Sequence, residues 1–118
     1  MHYGNQEDVE FLKTINNSRG YFDVIIDDGG HTMNQQITSF THLLSKVRSD
    51  GLYIIEDLRS SYAPSYGGGY LVKTTTIEFI KRMIDNMQLS ITEHESAVLA
   101  KRIFSFEISH EICFFNIM

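Results

Sequence analysis

Apolar residues recur at two different periods along the chain. In residues 7–16, Val9, Leu12 and Ile15 stand at helical spacing behind an acidic first turn, which predicts a short helix. Asn16-Asn17-Ser18-Arg19-Gly20 reads as a turn. The run Tyr21-Phe22-Asp23-Val24-Ile25-Ile26 is short, apolar and rich in β-branched side chains, and Asp27-Asp28-Gly29-Gly30 stops it, so it predicts a buried strand. Thr32 and Gln35 stand at capping-box spacing. The helix they open carries Met33, Ile37, Phe40, Leu44 and Val47 on one face, and Ser49-Asp50-Gly51 breaks it. Leu52-Tyr53-Ile54-Ile55 is a second buried strand, ending at Glu56-Asp57. A loop follows around Pro64 and Gly67-Gly68-Gly69. Residues 71–87 place Ile77, Ile80, Ile84 and Met87 on one side of a further helix. Residues 88–100 carry no clear pattern. Residues 102–108 and 111–117 read as an antiparallel hairpin turning at Ser109-His110. Helix and strand alternate, so the pattern predicts an α/β fold with a mostly parallel sheet and an antiparallel strand at the end.

Composition narrows the class. The chain has 118 residues, enough for one domain but small for an α/β enzyme with both sheet faces covered. Hydrophobic residues make up 42% and charged residues 21%, the balance of an ordinary globular domain. The net charge of −5 argues against a nucleic-acid surface. A single cysteine, Cys113, excludes an intrachain disulfide, and its place in an apolar strand makes it a small buried hydrophobe. No apolar run reaches the length of a membrane span, and residues 1–10 lack the pattern of a secretory signal. These features predict a cytoplasmic chain that binds neither membrane nor nucleic acid.

The chemistry gathers at the strand ends. Asp27-Asp28 closes the first buried strand and Glu56-Asp57 the second. Strands joined by a crossover helix are parallel, so both acidic pairs fall on one edge of the sheet, where open α/β sheets bind ligands. Carboxylates that close repel unless a cation or a proton intervenes. Oxygen-only clusters suit Mg²⁺, Mn²⁺ or Ca²⁺. The plainer alternative is that these acids cap the following turns. His31 follows Asp28 by three positions across two glycines, within reach of the same edge. It is either a proton acceptor near neutral pH or a histidine that merely flanks a helix start. Tyr62, Tyr66 and Tyr70 can stack on a sugar ring or simply pack the loop. His42, His94 and His110 show no metal spacing.

Three motifs then carry a resemblance. Phe22-Asp23-Val24-Ile25-Ile26-Asp27-Asp28-Gly29-Gly30-His31 resembles the "DIIIDDGSH" signature of the macrolide-sugar O-methyltransferases of the mycinamicin and tylosin pathways. Gly51 to Leu58 resembles their "GGLYVIEDL", and Ser61 to Gly68 their "SYWPxYGG". Upstream, Gly4-Asn5-Gln6 resembles "GDQ". The likeness runs from about Gly4 to Tyr70, with a weaker echo in the final hairpin.

The resemblance implies the C-terminal portion of a Rossmann-like class I methyltransferase fold, residues 1–118 forming one partial domain. It implies an enzyme that uses S-adenosylmethionine (SAM) and Mg²⁺, or Mn²⁺, to methylate a sugar or other vicinal hydroxyl of a small molecule, such as a glycoside. Asp28, Glu56 and Asp57 match the metal ligands, and His31 the general base. Gln6, Asp27 and Asp28 match cofactor-holding positions, and Tyr62 and Tyr66 are candidates for substrate contact. The layout of ligand, base three residues on and ligand pair one strand later also resembles catechol O-methyltransferases, whose base is a lysine. Three positions depart from the pattern: Ala63 replaces the loop tryptophan, Gly30 the signature serine, and Asn5 the aspartate of "GDQ". The glycine-rich loop and the acidic strand end that hold most of SAM in class I enzymes have no counterpart before Gly4. A second expectation therefore stands beside the first, a catalytically inactive, truncated subunit with a binding role, self-associating through an exposed sheet edge as a homo-oligomer. A third is a carboxylate–metal hydrolase with His31 as base.

Overall fold

The computed structural model describes residues 8–16, 20–89 and 95–118. Helix α1 spans Val9–Asn16, and Asp8 caps it by accepting from the N–H groups of Glu10 and Phe11. Strand β1 is Phe22–Asp27 and helix α2 is Met33–Leu43. A 3-10 turn at Leu44–Lys46 leads into β2, Val47–Glu56. Two further 3-10 turns, Leu58–Tyr62 and Pro64–Tyr66, precede α3 at Thr76–Leu89. Helix α4, Glu95–Ala100, and the hairpin β3 (Ile103–Ser109) and β4 (Ile112–Ile117) complete the order.

The four strands lie side by side as β1-β2-β4-β3. The β1-α2-β2 crossover gives a parallel pair, with Ile25 beside Tyr53 and Asp27 beside Ile55. The hairpin then docks its second strand antiparallel against β2, with Ile55 beside Cys113. Parallel pairing is thus confined, among the described residues, to β1 and β2, because β4 inserts antiparallel between β2 and β3, which itself runs parallel to β2.

One face of the sheet carries the core. Tyr53, Ile55, Cys113, Phe115 and Ile117 point into it, at the alternate positions a pleated strand dictates. Helix α2 and its following turn contribute Phe40 and Leu44, and α3 contributes Phe79, Ile80 and Met83. Phe40 is the hub. Its ring centroid lies 4.9 Å from Tyr53, 5.7 Å from Phe79 and 4.8 Å from Phe115. Burial pushes the Cys113 thiol up to about 12, so it is an inert part of this packing.

Several expected boundaries shift. Helix α2 stops at Leu43, and Val47, expected on its apolar face, opens β2 instead. Ser49-Asp50-Gly51, expected to break a helix, forms an irregularity inside β2, where the pairing jumps between Phe22 and Val24. Asp50 has φ 68, and a Cβ on Gly51 would lie 2.6 Å from the Asp23 carbonyl oxygen, so this bulge requires glycine. Helix α3 starts at Thr76 and not at residue 71, because Thr75 caps it by accepting from the Glu78 N–H. Its inner stripe runs through Phe79, Ile80 and Met83, which leaves Ile84 45% exposed. Part of the unpatterned stretch 88–100 is α4.

The first strand is not buried as its composition predicts. Phe22, Val24 and Ile26 are 42%, 45% and 59% exposed. Strand β1 is the sheet edge, and only Ile25 and Asp27 turn toward the helical layer. A strand apolar on both faces reads as fully covered, whereas among the described residues only one face of this one is.

Candidate metal and acceptor site

Parallel pairing of β1 and β2 brings their carboxyl ends to one edge, and the two acidic pairs come with them. Asp28, His31 and Asp57 each offer a ligand atom, and these atoms all lie within 4.8 Å of one another. His31 Nε2 stands 3.1 Å from Asp57 Oδ2. All three side chains are reachable from solvent, with His31 and Asp57 partly shielded.

Local structure fixes each member. Asp57 has φ 58 and ψ 43, a left-handed conformation that Asp adopts more readily than most side chains. Its carbonyl oxygen accepts from the N–H of Ser60 at 3.1 Å and from the Ser60 hydroxyl at 2.9 Å, and the Leu58 N–H donates to the Glu111 carbonyl. The reversal turns the Asp57 carboxylate back over the strand end. His31 is set by the start of α2. The Thr32 hydroxyl accepts from the Gln35 N–H, and the Thr32 N–H donates to Gln35 Oε1, each at 3.2 Å. A Cβ on Gly30 would meet that Gln35 amide at 2.2 Å, so glycine lets the capping box close directly behind His31. Thr32→Ala is expected to cost about 1 kcal/mol of stability, a value typical of lost N-caps, as a lower urea midpoint with unchanged slope.

Glu56 adjoins the group without belonging to its tightest set. Its carboxyl is held above the usual range by loss of hydration, then by the Asp28 charge, a hydrogen bond shared with Asp28, and the Asp57 charge. A carboxyl raised by neighbouring acidic groups in this way marks a place chemically suited to a cation. Gln36, which the sequence reading passed over, anchors the same edge. It is buried, donates to the Glu56 carbonyl at 3.4 Å, and accepts from the Thr76 hydroxyl at 2.6 Å. One amide thereby ties α2, the end of β2 and the start of α3 together. Its signal was available, a polar residue next to Ile37 and four before Phe40 on a helix whose neighbouring positions are apolar.

The remaining candidates separate. Asp27 is buried beneath the edge; burial of the Tyr53 phenol, and then the Asp27 charge, raise it well above its ordinary value. Tyr66 meets His31 edge-on, ring centroids 5.9 Å apart at 68°. Tyr62 does not join them. It lines a different cleft with Arg59, Ile77 and Ile108. Gln6 lies outside the described residues. Beyond Tyr66 a cavity of about 700 Å³ opens between the start of α2, the glycine loop and α3.

No family model matches the chain. Among curated proteins, it is 39% identical over 87 residues to the 8-demethyl-8-(2-methoxy-alpha-L-rhamnosyl)-tetracenomycin-C 3'-O-methyltransferase of Streptomyces olivaceus. That alignment covers 71% of this chain and 22% of the relative. It is 41% identical over 88 residues to the mycinamicin VI 2''-O-methyltransferase of Micromonospora griseorubida, covering 72% of this chain and 22% of that enzyme. Among solved structures, the MycE methyltransferase in complex with Mg, SAH and mycinamycin VI superposes with a TM-score of 0.84 at 34% identity. This match covers 97% of the chain and 30% of that structure. The chain therefore shares the fold of these sugar O-methyltransferases over one segment, and spans about a fifth to a third of their length. No helix among the described residues is long and apolar enough to cross a membrane.

Proposed function

We propose, on the premise that its homologues are macrolide-sugar O-methyltransferases, that the chain is the metal-and-acceptor part of a SAM-dependent, divalent-metal-dependent O-methyltransferase. Residues 1–118 form one partial domain of it. The acceptor is a sugar or other vicinal hydroxyl of a small molecule, most simply a glycoside. The supporting observation is the convergence of Asp28, His31 and Asp57 at the carboxyl edge of the parallel pair.

The donor set fits Mg²⁺ or Mn²⁺. Asp28, Glu56 and Asp57 would supply hard carboxylate oxygens, and a cation would offset the negative charge gathered there, which helps hold the Glu56 carboxyl above its usual range. When bound, such a cation lowers the pKa of a hydroxyl it coordinates, and SAM supplies the methyl group. His31 takes the hydroxyl proton, its imidazole standing beside the carboxylates at the same edge. Tyr66 packs against the imidazole and limits its rotation. Gln6, Asp27 and Asp28 serve the cofactor side, and Tyr62 and Tyr66 the acceptor side. The chain works in the cytoplasm, with no nucleic-acid or membrane partner. The relatives' chemistry is methyl transfer, so the hydrolase reading is not carried forward.

A second reading has its own observation. The apolar edge strand, with Phe22, Val24 and Ile26 uncovered, favours a catalytically inactive subunit that binds or oligomerises through β1. Calorimetric titration separates the two. Saturable heat from Mg²⁺ and, in its presence, from SAM is expected of the methyltransferase. Heat from Mg²⁺ alone, with none at high micromolar SAM, favours the second reading. No heat from Mg²⁺ sinks the metal site.

A further inference from the structure

We infer that the cavity beside His31 receives the aglycone side of the acceptor, and that it selects an acceptor carrying an anionic group there. This inference rests on the reading of the site given above. At about 700 Å³ the cavity falls within the roughly 300–1,000 Å³ of small-molecule sites, and it has room beyond a single sugar. Tyr66 joins the two regions, since its ring meets His31 on one side and lines the cavity on the other.

The lining has two chemical faces. Met33, Ile37 and Phe79 supply an apolar floor suited to a ring. Among the described residues, Lys73 and Arg82 supply the only formal charges that line the cavity, and no acidic side chain lines it. Arg82 is oriented by one bond, Nη1 to the Lys73 carbonyl at 3.0 Å. A guanidinium has five N–H donors, so this bond fixes the fork and leaves donors for a carboxylate or phosphate. In a chain of net charge −5, a wall bearing two cations and no acid is a local reversal of sign. The carboxylates around His31 repel an anion from the opposite end, so the two regions together set the direction in which such an acceptor enters.

The turn that carries Tyr66 is held by its backbone. Ala63 stands where the resemblance expects tryptophan, and its carbonyl accepts from the N–H groups of Tyr66 and Gly68 at 3.0 and 2.9 Å.

The test uses an isosteric pair, 4-carboxyphenyl β-D-glucopyranoside and its methyl ester, titrated into the chain with Mg²⁺ present. The carboxylate is expected to bind about fivefold tighter at low salt, a modest preference because both cations are solvent-exposed. The double variant with Lys73→Gln and Arg82→Gln should erase the preference while leaving the ester's affinity unchanged. Added salt should shrink it in the native chain. Equal affinity for the two probes, with Mg²⁺ dependence intact, overturns this inference and leaves the reading of the site standing. An affinity for both probes that does not change when Mg²⁺ is removed, with the preference retained, supports the cationic wall and overturns the metal-site reading instead. A preference that survives the double variant overturns the assignment to Lys73 and Arg82.

Discussion

Asp57→Asn is expected to weaken Mg²⁺ and Mn²⁺ binding by more than the tenfold to hundredfold that even outer-shell changes cost, while the fold stays intact. The argument is local. Asp57 contributes an oxygen to the only group among the described residues in which three potential ligands converge, and it contacts His31 at 3.1 Å. The amide keeps the shape and removes the charge. Asparagine is the correct replacement because the residue has φ 58, a region asparagine shares with aspartate. Alanine would add a left-handed penalty of roughly 1–2 kcal/mol and confuse ligand loss with backbone strain. The effect can be read without turnover. A cation at 100 times its dissociation constant stabilises the native chain by about 2.7 kcal/mol, visible as a rise in melting temperature, and Asp57→Asn should abolish most of that rise. An undiminished rise would show that Asp57 is not a ligand.

Much of this site was legible because its elements announce themselves locally. Asp27-Asp28 and Glu56-Asp57 each end an apolar run, and the intervening helix dictates parallel strands, so their common edge follows from period and chirality alone. The capping box at Thr32 and Gln35 was equally readable and forms with both of its bonds. Tertiary partners were not. Gln36 looks like any polar residue until the Thr76 hydroxyl, 40 positions away, is seen to donate to it. Tyr62 and Tyr66 are equivalent in the sequence, and only the path of the 3-10 turns sends one to His31 and the other to a separate cleft. The cationic wall needs Lys73 and Arg82 from opposite sides of a helix start, and the charge pattern of either segment alone looks like solvated surface.

Burial of β1 was misjudged for a related reason. Tyr21 to Ile26 has the composition of a strand covered on both faces, and composition reports what a strand is built to meet. Among the described residues, Phe22, Val24 and Ile26 remain exposed along this edge. Both the methyltransferase reading and the oligomerising one require that this surface be covered. They differ only in what covers it.

The largest loss of stability is expected at Phe40, far from any ligand. Phe40→Ala should cost about 3–5 kcal/mol, the range for removing a buried phenylalanine, out of a total of roughly 5–15 kcal/mol for a domain of this kind. The upper half of the range applies here. The ring is fully buried and touches Tyr53, Phe79 and Phe115, so its removal opens a hole between both central strands and two helices. Phe40→Leu should recover part of the loss by refilling the volume. Urea unfolding checks both, and a midpoint for Phe40→Ala within error of the native value would show that the core does not centre on α2. The pairing with Asp57→Asn makes the outcome diagnostic. Phe40 sits two turns along the helix that begins at the Thr32 cap, so its truncation loosens His31 and Asp28 together with the whole core. Saturating Mg²⁺ adds back only about 2.7 kcal/mol at 100 times the dissociation constant, less than the cavity removes. Cation binding in Phe40→Ala should therefore fall in step with the folded fraction, whereas in Asp57→Asn it falls while the chain remains folded.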